Sequence, residues 1–128
     1  MEILRRDDKI FLRFGQVYMT TVYPKVVKAW HYHKKQDDNF ACIKGKIRLA
    51  LYDARKKSPT RGQINEFILS LNEPKLVQIP KGVYHGFKCI SEEEAIVINV
   101  PTHPYNRKRP DEYKVDAYNN DIPYDWCK

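Results

Sequence analysis

Long hydrophobic runs are missing from this 128-residue chain. No apolar stretch approaches the roughly 20 residues of a membrane span. The N-terminal MEILRRDDKIF has none of the apolar core of a secretory signal, so the chain is read as cytoplasmic, with no membrane partner. Cysteine is scarce. Cys42, Cys89 and Cys127 are odd in number and lack Cys-x-x-Cys spacing, which excludes a disulfide framework and a zinc ribbon. They are expected to be reduced thiols, mostly packed as small hydrophobes. A sustained 3.6-residue apolar period, internal repeats and low-complexity segments are absent too, which excludes helical bundles and solenoids. Hydrophobic residues make up 42% of the chain and charged ones 30%, enough to build a core and against disorder. The length suits one domain, residues 1–128.

The net charge is +7, and a basic chain attracts polyanions. Its densest groups, Lys34-Lys35, Arg55-Lys56-Lys57 and Arg107-Lys108-Arg109, are scattered. None falls on a recognition helix or single-strand binding motif. No nucleic-acid partner is expected; a small phosphorylated ligand accounts for the charge more economically.

Period-2 alternation replaces the helical pattern. In KIRLALYD, Ile47, Leu49 and Leu51 alternate with Lys46, Arg48 and Ala50. Residues 16–23 are rich in β-branched and aromatic side chains and read as a strand. Residues 76–79 read as a short strand ended by Pro80, and residues 95–100 as a strand buried on both faces. Turn signals fall between them at Pro24, Gly45, Ser58-Pro59-Thr60-Arg61-Gly62, Asn72-Glu73-Pro74, Pro80-Lys81-Gly82 and Pro101. The fold class is all-β, a sandwich or barrel. Residues 101–128, rich in Tyr, Asn, Asp and Pro, form a tail that wraps the barrel as extended chain with one short helical turn. In that tail Tyr113, Tyr118 and Tyr124 are expected to act as clamps. Trp30 is assigned to the core, Asp53 and Arg55 to a structural pair, the three glutamates from Glu92 to a solvated turn, and His103 to the surface.

The stretch KAWHYHKKQDDN sets His31 and His33 two residues apart. On a strand both project to one face and Tyr32 to the other. His85 begins the strand after Pro80 and Gly82. A His-x-His pair is common on polar strands, and the acidic residues after it could form a plain turn. With His85 added, three imidazoles can converge inside a barrel, with the rings of His31 and His85 facing each other across its hollow. The pattern His-x-His-x(4)-Asp-x(6)-Gly followed by Pro-x-Gly-x(2)-His resembles both halves of the cupin signature, with Asp38 where cupins usually carry Glu. Cupins are double-stranded β-helix (jelly-roll) barrels. A set of His31, His33, Asp38 and His85 would suit a divalent iron, manganese, nickel or zinc ion.

A closer resemblance runs from Gln16 to Trp126. Gln16 precedes His31 by fifteen residues; GKIRLALYDAR is followed by Ser58-Pro59-Thr60-x-Gly62; LSLNEPKLVQIPKGVYHGF carries His85; Pro104-Tyr105-Asn106 and YNNDIPYDW close the chain. In this order the segments resemble the dTDP-4-dehydrorhamnose 3,5-epimerases, a cupin family. The resemblance implies an isomerase acting on a 6-deoxy-4-ketohexose linked to dTDP, in polysaccharide biosynthesis and with no cofactor. The ketone acidifies the protons on carbons 3 and 5; a base removes one and a proton returns from the opposite face.

The same resemblance implies particular roles. His31 is the base, steadied by an aspartate that falls on Asn120 or Asp121, with Asp121 preferred. His85 lines the cavity, Gln16 contacts the nucleotide, and Lys28 stands where the family binds phosphate with Arg, keeping the charge without the bidentate fork. The family's active-site Lys falls near Asp38, its Tyr acid on Asn99, and the Gln of its His-x-Gln motif on His33; His33 and Asn99 are thus placed against substrate. Tyr105 or His85 would then supply the acid. The family's early Phe-x-Asp-x-Arg-Gly segment has no counterpart, and MEILRR would lie inside its first strand. The family also implies a homodimer. Two other readings stay open: a metal-binding cupin using the four residues above, and a non-catalytic sugar-nucleotide binding protein.

Overall fold

The computed structural model describes residues 1–128. It contains nine strands: β1 (Tyr18–Val22), β2 (Val27–Tyr32), β3 (Asp38–Lys44), β4 (Lys46–Asp53), β5 (Ile64–Ser70), β6 (Val77–Ile79), β7 (Val83–Cys89), β8 (Ala95–Asn99) and β9 (Tyr113–Lys114). They pair antiparallel in two sheets, one ordered β1-β8-β3-β6 and the other β5-β4-β7-β2-β9. This is the all-β fold anticipated from the alternation, in the jelly-roll form that the resemblance implies.

The elements follow from local chemistry. In β4, Ile47, Leu49 and Leu51 point inward, as the period of two requires. Gly45, at φ 70°, closes the β3–β4 connection in a backbone region that other residues resist. Strand β8 corrects the expectation of two buried faces: Ala95, Val97 and Asn99 are buried while Ile96 and Ile98 are only half-buried, because its sheet is covered on one side. The expected helical turn in the tail is also absent. The tail instead contributes β9, which pairs with β2 through His31↔Lys114 and Tyr32↔Tyr113. Residues 1–17 contain no strand, so MEILRR does not lie in one.

The main core fills the space between the sheets with Val22, Phe40, Ile47, Leu49, Leu69, Phe87, Val97 and their neighbours. Cys42 and Cys89 belong to it as free thiols. A second cluster lies on the outer face of β4 and β7, where Trp30, Ala50 and Trp126 are fully covered. Trp30 is therefore core, and the tail is what covers it. Tyr124 fastens the tail by accepting from Arg48 Nε (2.9 Å) and donating to Glu66 (2.6 Å). Tyr113 stacks on Tyr32 at 5.1 Å between centroids. Tyr118 remains 66% exposed and clamps nothing, because the bend there is held by Asp116 instead.

Candidate active site

Antiparallel pairing sets one row of side chains across each sheet. In the second sheet His31 lies directly opposite His85, and His85 opposite Leu51. In the first, Tyr18 lies opposite Asn99, and Asn99 opposite Phe40. Phe40 touches the His85 ring at 5.6 Å between centroids, so the two rows face each other across the interior. The imidazoles of His31 and His85 therefore do converge, with centroids 6.3 Å apart. They do so as neighbours on adjacent strands rather than from opposite walls of the hollow, which corrects the sequence expectation. Gly86 permits this approach. A Cβ there would collide with Ala29 on β2, so no larger residue lets β2 lie this close beside His85.

His33 lies one residue past β2, and its ring is 5.4 Å from that of His85. Its Nδ1–H donates to the Asp111 carbonyl (2.6 Å), and that of His85 faces the Val83 carbonyl at 3.2 Å. Both Nε2 atoms then point at one oxygen, Asp38 Oδ2, at 3.0 and 3.3 Å. Asp38 is 1% exposed, and this oxygen has no well-aligned hydrogen bond; its other oxygen accepts from Gln36 Nε2 (2.8 Å). Burial works against ionisation of Asp38, yet the two imidazoles hold its carboxyl well below the usual carboxylate range. Burial likewise works against a charge on His33, but Asp38 and the Asp111 carbonyl overrule it and raise its pKa. His31 behaves oppositely. Burial and the neighbouring His85 push it down to about 4, which leaves a neutral ring at pH 7.

The structure does not bring Asp121 to His31: Asp121 is exposed and makes no ion pair with the ring. The carboxylate near His31 Nδ1 is Glu112, at 3.8 Å. Asp111, next to it, accepts the backbone N–H groups of Lys34, Lys35 and Gln36 and so shapes the loop that carries His33. Neither acid was visible in the sequence. Both lie some 80 positions from the residues they serve, and no short spacing marks them.

The remaining candidates divide. Asn99 is buried; its amide accepts from Asn39 N and donates to the Tyr18 hydroxyl (2.9 Å). Gln16 accepts the backbone N–H of Tyr105 (2.8 Å), and Tyr105 is half exposed. Lys28 departs from its expected place. Its ammonium donates to the Thr21 carbonyl (2.6 Å) and lies 3.3 Å from Thr20 Oγ1, tying β2 to β1. The cations of the site are elsewhere. A cleft of about 970 Å³ is lined by Tyr18, His33 and Glu112 together with Tyr105, Arg107 and Arg109. His103, expected at the surface, borders the same cleft and bonds Thr102 at 2.9 Å.

The four-residue metal set shrinks to three. Ligand atoms of His33, Asp38 and His85 lie within 4.8 Å of one another, and His31 is not among them. The three fit a divalent ion, since a buried oxygen without an aligned partner meets two Nε2 atoms whose other nitrogens are held by carbonyls.

Residues 4–128 match the family model described as dTDP-4-dehydrorhamnose 3,5-epimerase. The chain belongs to this family. It is 36% identical to the spore coat polysaccharide biosynthesis protein SpsL of Bacillus subtilis, over 98% of this chain and 83% of the relative. It is 38% identical to the probable low-salt glycan biosynthesis epimerase Agl13 of Haloferax volcanii, over 98% and 82%. The crystal structure of a dTDP sugar isomerase from Desulfovibrio desulfuricans superposes with a TM-score of 0.92 at 32% identity, covering 98% of this chain and 80% of that one. Family and fold thus agree on an epimerase-type isomerase of sugar biosynthesis. No helix here is long and apolar enough to cross a membrane.

Proposed function

We propose that this protein epimerises a dTDP-linked 6-deoxy-4-ketohexose by proton transfer beside the ketone, with His31 as the base. One observation carries the reading. A partly exposed, uncharged imidazole sits beside a buried His33–Asp38–His85 cluster, and two of its neighbours, His33 and Glu112, line a large cleft together with Arg107, Lys108 and Arg109. A neutral imidazole has a free lone pair for the C–H proton. Removing that proton shifts charge onto the ketone oxygen, and fixed donors at that point lower the barrier. His33 and His85, locked by Asp38 and by backbone carbonyls, supply preset ring dipoles beneath the sugar. Glu112 steadies the proton that His31 acquires. The diphosphate lies on Lys35, Arg107, Lys108 and Arg109, the cations that line the cleft, while Gln16 and Tyr105 hold the nucleoside end.

The enzyme works in the cytoplasm as a homodimer. Strand β1 is an edge strand, and Leu12, Phe14, Val17 and Met19 are exposed on it and on the arm before it. Open edges and contiguous apolar surface of this kind are closed by association; a monomer in analytical ultracentrifugation would refute the dimer. The experiment for the reaction is solvent exchange. Deuterium should enter dTDP-4-keto-6-deoxyglucose next to its ketone with the wild type, and entry should stop in His31→Asn. Exchange that persists in that variant would move the base to another residue.

The orphaned Asp38 oxygen favours a second reading, in which His33, Asp38 and His85 hold a divalent ion that would polarise the ketone as a Lewis acid. Metal analysis of untagged protein decides it: well below one equivalent removes this reading, and the base assigned to His31 stands in either case.

A further inference from the structure

We infer that Tyr18 is the catalytic acid that returns the proton on the face of the sugar opposite His31. The inference rests on the epimerase reading above, and its evidence is the position of β1. Tyr18 and Asn99 are directly opposite on antiparallel strands, so they project to the same side. Asn99 is buried inside the barrel, and therefore the Tyr18 phenol faces the interior as well. Across the gap, Lys28 on β2 reaches the Thr21 carbonyl on β1. The Val26 N–H bonds back to the Tyr23 carbonyl (3.1 Å), so the chain reverses between the two strands. A register irregularity in β2 pairs Lys28 with Phe87 and His31 with His85, two residues apart on β7, so Lys28 and His31 face the same side. The Lys28 ammonium lies 3.3 Å from Thr20 Oγ1, and Tyr18, two residues back from Thr20, shares its face. Moving away from the turn along both strands therefore leads from the Lys28–Thr20 contact to His31 and Tyr18. Tyr18 and Glu112, the carboxylate 3.8 Å from His31 Nδ1, both line the cleft, which is large enough for a pyranose ring.

The Tyr18 hydroxyl also suits the task. It receives the Asn99 amide N–H at 2.9 Å, which occupies an oxygen lone pair and leaves the phenolic proton free to point into the cleft that Tyr18 lines. Burial is the main cause that pushes its pKa up to about 12, with Asp38 and Glu112 adding to the rise and Asn99 opposing it. The phenol thus keeps its proton until a strong base is presented, and an enolate carbon is such a base. His31 takes the proton from the carbon beside the ketone, and the C–H electron pair becomes the enolate double bond as the ketone oxygen gains the charge. The enolate then collapses toward Tyr18, forming a new C–H bond on the opposite face and leaving a phenolate, which solvent reprotonates while His31 releases its proton. Tyr105, half exposed and anchored through its backbone to Gln16, is left to the nucleotide.

The test separates exchange from inversion, using Tyr18→Phe and dTDP-4-keto-6-deoxyglucose in deuterium oxide. Loss of one hydroxyl from the partly exposed Tyr18 should leave deuterium entry within about threefold of wild type, because His31 still removes and returns protons on its own face. Inversion should fall by about 100-fold or more, the usual contribution of a positioned acid. Retained exchange also shows that the variant is folded. Inversion at the wild-type rate overturns the assignment and leaves His31 in place. Loss of exchange together with inversion overturns it too, since Tyr18 would then be structural. A wild type that neither exchanges nor inverts overturns the epimerase reading and this assignment with it.

Discussion

The two ends of the space between the sheets are buried to a similar degree and built oppositely. At one end Ile47, Leu49, Leu69, Cys89 and Ala95 are fully covered and pack as one apolar cluster. At the other, Asp38 and Asn99 are 1% exposed and His85 3%, and polar side chains meet one another beside Phe40 and Leu51. The apolar end needs only volume and alternation, because hydrophobic burial is non-directional. The polar end needs partners at defined angles, and it recruits them from β1, the β2–β3 loop and the tail. Burial alone therefore does not distinguish core from site. What distinguishes the polar end is that ionisable groups converge there, with two imidazole Nε2 atoms on the one Asp38 Oδ2 that has no aligned hydrogen bond.

The sharpest way to break the comparison is His31→Asn. Turnover should drop by on the order of 10³-fold, within the 10²–10⁴ range for an acid–base group, or about 4 kcal/mol of barrier. The melting midpoint should barely move, since His31 carries no core volume. Steady-state kinetics beside a thermal melt would show both. Leu49→Ala should do the reverse, costing about 2–5 kcal/mol of stability as a cavity opens while exchange per folded molecule is unchanged; urea denaturation reads the first and deuterium entry the second. Gly86→Ala should affect both ends. The new methyl group pushes β2 from β7, costing about 1–3 kcal/mol and separating His31 from His85, so activity and urea midpoint should fall together.

The smallest effect lies outside both ends, at Asp53. The Arg55 guanidinium, with the Ser58 and Thr60 hydroxyls, holds this carboxyl well below the usual carboxylate range against the cost of burial. A depressed folded-state pKa contributes stability above the unfolded value, about 3.9, and that stability is lost as pH falls through the folded one. Much of Arg55 is open to water, which screens the pair and keeps the effect small. Asp53→Asn should therefore lower the urea midpoint slightly at neutral pH and flatten its decline in acid.

Much of this was legible along the chain. KIRLALYD showed a strand whose inward residues are the inward residues found, and His31, His33 and His85 were marked by their spacing and do meet. The misreadings share a cause. Lys28 was placed by charge and position, but its long side chain was free to satisfy a nearby carbonyl. Asp121 was placed by its motif, while the path of the tail brought Glu112 to His31 instead. Tyr18 carried no signal at all, lying in an ordinary β-rich run.

By itself the amino-acid order determined which residues face inward on an alternating strand such as β4, where turns fall and that imidazoles would gather. These follow from the two-residue repeat of a strand and from Gly and Pro chemistry, which act over a few positions. Only the tertiary structure decided which acid lies beside which histidine, that Lys28 reaches the Thr21 carbonyl on β1, and that the Tyr18 hydroxyl meets the Asn99 amide. Those contacts depend on sheet order and on the route of the last thirty residues, and neighbours along the chain exert no force that records them.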